Sequence, residues 1–119
     1  MRSIRWAALL MGLTITGAYS ASQEETPKET PPEFTEAYLN DKENQNAGKT
    51  LWAEQCRHCH GASAYPGKAP KLKPYSYKPD FVFDRVTNGF RKMPGWGDVY
   101  SKEERMAVVA YILSDDFSP

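Results

Sequence analysis

The stretch Cys56-Arg57-His58-Cys59-His60 decides how the rest of the chain is read. Two cysteines stand two residues apart with histidine immediately after, the pattern of a covalent attachment site for c-type haem. Each thiol can add across one vinyl group of the porphyrin, and the two-residue gap spans those vinyls on a tight helical turn. The adjacent imidazole then lies under the iron as proximal ligand, a role histidine commonly fills. The chain has no other cysteine. Three competing readings fit less well. A Cys-x-x-Cys disulfide is strained and usually redox-active rather than structural. A thioredoxin-like pair needs a βαβ context, and no such pattern surrounds the motif. A zinc site needs a fourth ligand, and the remaining histidine, His58, is crowded into the same turn.

Upstream, Arg2 and Arg5 precede an uncharged apolar run from Trp6 to Ala18, and Ala18-Tyr19-Ser20 offers small residues for cleavage. That is the anatomy of a secretory signal peptide over residues 1–20, with cleavage near Ser20. The run is shorter than the ~20 residues that span a bilayer, so membrane association is expected only if the signal is retained. No cysteine near the cleavage point offers a lipid anchor. Export to the periplasm agrees with the motif, because bacterial c-type haem is attached outside the cytoplasm.

The whole chain balances 15 basic against 15 acidic residues over 119 positions. Without Arg2 and Arg5 the balance is 13 to 15. Residues 21–46 carry seven acids and two bases, whereas residues 47–119 carry eleven bases and eight acids. No compact basic run suggests nucleic acid. Residues 21–45 are acidic and rich in proline and glutamate, a composition that cannot bury enough surface to order itself. They are expected to form a disordered or semi-extended tail acting as a spacer. Phe34, Tyr38 and Leu39 are its apolar exceptions, spaced so that one helical turn can pack on the domain.

Residues 46–119 read as one all-α domain. Asn46 is a suitable N-cap, and Gly48, Leu51, Trp52 and Gln55 share a helical face. Glycine costs about 1 kcal/mol in a helix interior, so Gly48 implies close approach by another helix. The partner expected is the last helix, opened by the Ser101-Lys102-Glu103-Glu104 capping box. Its apolar stripe runs through Met106, Val109, Ala110 and Leu113, widened by Val108, Tyr111 and Ile112, and the helix is expected to stop near Ser114. A middle helix starts with Pro79 at N1 and ends at Gly89. Residues 61–78 and the Phe90-to-Gly97 stretch read as loops.

Gly48 and Trp52, the Cys56-x-x-Cys59-His60 motif, Ala69-Pro70-Lys71-Leu72, Lys92-Met93-Pro94-Gly95-Trp96 and Tyr111 together resemble class I c-type cytochromes. The resemblance covers residues 47–113 and none of the tail. It implies a small class I cytochrome c fold, three or more helices wrapped around one covalently bound haem c. Cys56 and Cys59 would form the thioethers, with His60 and Met93 as axial iron ligands. Pro70, Leu72 and Trp96 would line the haem pocket, the Pro70 carbonyl accepting the His60 N–H and so raising the basicity of the imidazole. Gly48, Trp52 and Tyr111 would mark the crossing of the first and last helices.

Met93 also stands out on its own terms. Met106 belongs to a helical stripe where packing is the default, whereas Met93 lies in a loop and is kept extended by Pro94. His58 is tethered beside the cysteines and cannot reach the opposite face, and Lys92 is the weaker alternative. With His60 and Met93 both bound, the iron has no open position. Thioether ligation raises its potential. The expected function is single-electron transfer between a protein donor and a protein acceptor, through transient contact at an exposed haem edge, without a small-molecule substrate or catalysis. Lys68, Lys71, Lys73, Lys78, Arg91 and Lys92 could steer an acidic partner there. The alternatives are an open-site haem enzyme or ligand sensor, and a dedicated haem subunit of one oxidoreductase complex.

Overall fold

The computed structural model describes residues 29–117. Five α-helices organise them: α1 Glu36–Asn40, α2 Lys42–Leu51, α3 Arg57–His60, α4 Pro79–Asn88 and α5 Lys102–Ile112. A π-helical turn, Trp52–Cys56, joins α2 to α3 without a break, and a 3-10 turn, Pro74–Ser76, precedes α4. Among the described residues the one β pairing is an isolated antiparallel bridge between Phe90 and Met93. The all-α expectation holds.

Helix α5 is the centre of the packing, set against α2 over the largest surface and against α4 and α1 besides. Being touched on several sides, it buries its whole circumference rather than one stripe: Ala107, Val108, Val109, Ala110, Tyr111 and Ile112 are all buried. Met106 and Leu113, expected in the stripe, lie at its half-buried margin. The capping box forms in full, with Glu104 N–H donating to Ser101 Oγ at 3.2 Å and Ser101 N–H to the Glu104 carboxylate at 2.8 Å. The helix ends slightly earlier than expected. The turn beyond it buries Phe117 completely, pinned by the Phe117 N–H on the Ser114 carbonyl at 3.2 Å.

Gly48 sits where α2 crosses α5. A Cβ there would drive into the Ala107 carbonyl and come within 2.9 Å of Tyr111 Cβ. The close approach inferred from a helical glycine is therefore real. Helix α4 begins with Pro79 and ends at Gly89 in a left-handed conformation, φ 75°, as its punctuation indicated.

The N-terminal boundary differs from expectation. Asp41, not Asn46, caps α2, its Oδ1 accepting the Asn44 N–H at 3.0 Å; Asn46 is exposed inside the helix. Thr35 caps α1 in the same way. Asn44 and Gln45 side chains donate to the Tyr38 and Leu39 carbonyls at 3.1 and 2.7 Å, satisfying the groups that a helix end leaves unpaired. Phe34 packs edge-on against Tyr38 and Phe83, at 6.3 and 5.9 Å between centroids, and Leu39 packs on the core.

Even residues 29–32 are fastened. Glu29 pairs with Arg105, Thr30 accepts from Lys102 Nζ at 2.8 Å, and Pro32 is buried. From Glu29 onward the expected spacer is thus a strap and a short helix. A buried guanidinium needs a counter-charge, and that demand outweighs the polar composition of the segment. The signal segment, 1–20, and the part of the tail before Glu29 lie outside the described residues.

Candidate haem site

Helix α2 carries Trp52 to its end, and the π turn then sets Cys56, Cys59 and His60 on the last turns of one continuous helix. Trp52 is buried and supports that end. Its indole N–H donates to the Gly61 carbonyl at 3.0 Å, and its ring lies 5.4 Å from the His60 imidazole at 40°. On its other side it meets Phe117 edge-on at 4.6 Å and Tyr111 at 6.3 Å. The imidazole is thus coupled by aromatic contact to the crossing of α2 and α5.

Both thiols are free, Cys56 half-buried and Cys59 exposed. Burial, reinforced by Cys59, pushes the Cys56 thiol up to about 11. It is therefore a protonated, poorly nucleophilic sulfur at neutral pH, unlike the depressed thiols of redox-active Cys-x-x-Cys pairs. Burial lowers the His60 imidazole below its ordinary value, keeping it neutral with a lone pair for a metal. His58 is exposed, with Nε2 3.0 Å from the Glu54 carbonyl. Among the described residues, no three His, Cys, Asp or Glu side chains converge as a bare-ion site.

The chain after His60 folds back under the motif. Gly61 reverses direction at φ 92°, and Ala69 N–H donates to the Cys59 carbonyl at 2.8 Å. Gly67 lies so close that a Cβ would meet His60 carbonyl carbon at 2.5 Å. The hydrogen bond expected from His60 to the Pro70 carbonyl is not formed. His60 Nδ1 is buried without a partner, Pro70 is exposed, and the returning loop spends its contacts on Cys59 while the imidazole lies against Trp52. Leu72 is half-buried and packs on the core, its N–H donating to the Ala64 carbonyl at 3.1 Å.

Met93 is presented from a tight turn rather than an open loop. Phe90 and Met93 exchange both backbone hydrogen bonds at 3.0 Å, with Arg91 in the left-handed region at φ 54°. The following segment is tied to the end of α4 by Trp96 N–H to Val86 carbonyl, 2.8 Å, and Gly97 N–H to Thr87 carbonyl, 3.0 Å. Trp96 packs on the core and stacks on Tyr100 at 5.7 Å. Burial, then Cys56 and Glu54, raise the Tyr100 hydroxyl, which marks the end of this segment as a neighbour of the Cys56 turn. Met106 packs against the core; Met93 is half-buried and stands apart from it.

These residues fit a c-type haem. They supply two free sulfurs one helical turn apart, a neutral imidazole with an unsatisfied buried nitrogen, and a thioether on a rigid turn outside the core. The missed contributors are Phe117, Tyr100 and the positive φ of Arg91. An isolated phenylalanine after two aspartates gave no periodic signal, and arginine is an unusual occupant of the left-handed region.

Fold and donor set together define a cytochrome. The family model described as "Cytochrome C oxidase, cbb3-type, subunit III" matches residues 43–112, and the chain belongs to that family of c-type cytochromes. The chain is 35% identical over 68 residues to the cytochrome c subunit of 4-cresol dehydrogenase (hydroxylating) from Pseudomonas putida, covering 57% of this chain and 58% of that protein. The crystal structure of cytochrome CL from the marine methylotroph Methylophaga aminisulfidivorans superposes with a TM-score of 0.56 at 25% identity, over 71% of this chain and 68% of that one. The c-type cytochrome NirC shares the fold, with a TM-score of 0.53 at 23% identity over 66% and 99%. The chain is a c-type cytochrome of class I architecture, and its family role is electron transfer. Among the described residues, no helix is long and apolar enough to cross a membrane.

Proposed function

We propose that this chain is a periplasmic monohaem electron carrier, its haem c bonded to Cys56 and Cys59 and ligated axially by His60 and Met93. The observation that carries this reading is the contrast between the two methionines of the domain, Met106 packed on the core and Met93 held outside it on a doubly bonded turn. When bound, the haem supplies a one-electron iron couple. The chain's residues do the rest. His60, kept neutral by burial, offers nitrogen; Met93 offers a thioether, which favours the ferrous state. The π turn and the Trp52 support hold the first donor in place. The segment tied to Val86 and Thr87 holds the second. A coordination shell closed from both sides leaves no place for a substrate and favours transfer between proteins over catalysis.

The oxidised holoprotein tests this directly. It should show the weak near-infrared band of a thioether bonded to ferric haem, and the reduced form should bind carbon monoxide slowly. Absence of the band with rapid carbon monoxide binding would instead establish an open-site haem protein.

A second reading is favoured by one observation: the relative from Pseudomonas putida is a subunit of a dehydrogenase. Here the same electron transfer would occur within a stable complex. The chain spans less than two thirds of that relative's length. Co-purification of a dehydrogenase in fixed stoichiometry on gel filtration supports the subunit; a monomer eluting alone supports the shuttle.

A further inference from the structure

Arg105 is a charged side chain only 3% exposed, and every part of its guanidinium is engaged. Nε donates to the carbonyls of Tyr100 and Ser101 at 3.1 and 3.2 Å. Nη1 donates to Thr87 Oγ1 at 2.7 Å. Nη2 donates to both carboxylate oxygens of Glu29 at 2.9 and 2.7 Å, and the group lies over the Phe83 ring at 5.0 Å. Its partners fall on three separate parts of the fold: the end of the Met93 segment, helix α4, and the N-terminal strap.

Thr87 is the joint between them. Its hydroxyl is held by Arg105, while its carbonyl accepts the Gly97 N–H. Gly95 packs so tightly on it that a Cβ would meet the Thr87 carbonyl at 2.6 Å. Tyr100, which closes the same segment, gives its carbonyl to Arg105. The guanidinium therefore holds the Met93 segment at two points, directly at the Tyr100 carbonyl and indirectly through Thr87 of α4, to which Gly97 is bonded. Among the described residues, Glu29 is the one anion bonded to that guanidinium. Without it a buried positive charge would lack its partner, an arrangement that is strongly unfavourable. Rearrangement to reach water would pull on both grips.

We propose that Arg105 is a positioning residue for Met93 and that the acidic strap, through Glu29, is the latch that holds it. Loosening the strap weakens the bond between Met93 and the iron without touching either. This rests on Met93 being the axial ligand. Glu29 lies outside the segment matched by the family, 43–112, and Arg105 inside it.

The test uses ferric holoprotein and added imidazole, which competes with Met93 for the iron. Imidazole affinity and the near-infrared thioether band are compared in wild type, Glu29→Gln, Thr87→Val, Met93→Ala and Asp41→Ala. Glu29→Gln and Thr87→Val should each bind imidazole roughly threefold to tenfold more tightly, as expected for a ligand bond weakened through a buried ion pair. Asp41→Ala, which removes the α2 cap, should lower the melting temperature and leave imidazole affinity unchanged. That control separates positioning from general destabilisation. Wild-type affinity in Glu29→Gln overturns the latch, whatever Thr87→Val does. If wild type and Met93→Ala bind imidazole equally and neither shows the band, the axial assignment itself falls, and the latch with it.

Discussion

The indole N–H of Trp52 donates to the carbonyl of Gly61 across the end of α3, at 3.0 Å. This bond fixes the point where the chain leaves the Cys-x-x-Cys-His turn, immediately after His60. Trp52→Phe keeps much of the aromatic contact but leaves that carbonyl without its donor. It should cost about 1–3 kcal/mol, the penalty of an unsatisfied buried polar group. Trp52→Ala should cost about 3–5 kcal/mol, the range for truncating a large buried aromatic. Urea unfolding of the holoprotein followed by far-ultraviolet circular dichroism measures both.

Gly48 tests the crossing of α2 and α5. A Cβ here collides with backbone at Ala107, which cannot swing aside as a side chain could. Gly48→Val should therefore destabilise by about 1–3 kcal/mol or more through overpacking, overwhelming any gain in helix propensity. Lys49→Ala, on the exposed side of the same turn, should stay within about 0.5 kcal/mol of wild type. Equal effects at the two positions would show that the helices can part without loss.

The two methionines of the domain should separate cleanly. Met93→Ala should abolish the thioether band and admit carbon monoxide rapidly, with the helical spectrum unchanged. Met106→Ala should keep the band and lose stability, by less than the about 2–5 kcal/mol of a fully buried methionine, because Met106 is half-buried. The paired measurement is absorption spectroscopy with urea titration.

Tyr111 predicts an alkaline weakness. Burial first, and then Asp116, raise its hydroxyl above the ordinary value of 10.0. The folded state holds this proton more tightly than the unfolded state, so the unfolded state binds fewer protons as pH rises above that value. Stability associated with the group is complete below about pH 10 and is lost as pH climbs through the raised folded value. Tyr111→Phe should flatten this part of the decline. Urea midpoints at about pH 8 and about pH 11 measure it; parallel declines in the two proteins would contradict the assignment.

Punctuation was the most legible part of the molecule. Pro79, Gly89 and the Ser101–Glu104 box mark α4 and α5 because each acts through its own backbone chemistry, independent of what packs nearby. Gly48 was legible for the opposite reason: its helix cost demanded a neighbour, and α5 provides one. The pattern points to Asn46 as the start of α2 where the structure has Asp41, because both are competent caps. What chooses between them is α1, whose last carbonyls need Asn44 and Gln45 already in helical register. Composition predicts an unstructured strap because it records only the polarity of Glu29. Its ordering comes from a guanidinium 76 residues away, a distance over which local pattern carries no information. In the candidate site, spacing alone singles out Cys56, Cys59 and His60, and the structure sets them on the last turns of one continuous helix. The returning loop could not be read so finely, and the Pro70 contact implied by resemblance is replaced by Ala69 on Cys59.

The π-helical turn Trp52–Cys56 separates two settings that an unbroken α-helix would lock together. Gly48, before it, faces α5; Cys56, Cys59 and His60, after it, are the residues proposed to face the porphyrin. Each residue of an α-helix advances about 100° around the axis, and a π turn accommodates an extra residue within the ladder. The turn therefore works as a phase shifter between the folding face and the proposed haem face of one rod. Forcing the same residues into an unbroken α-helix would rotate the Cys-x-x-Cys-His turn by about 100° relative to the crossing, whereas deleting one residue at the π turn should give a more regular helix that keeps the present phase.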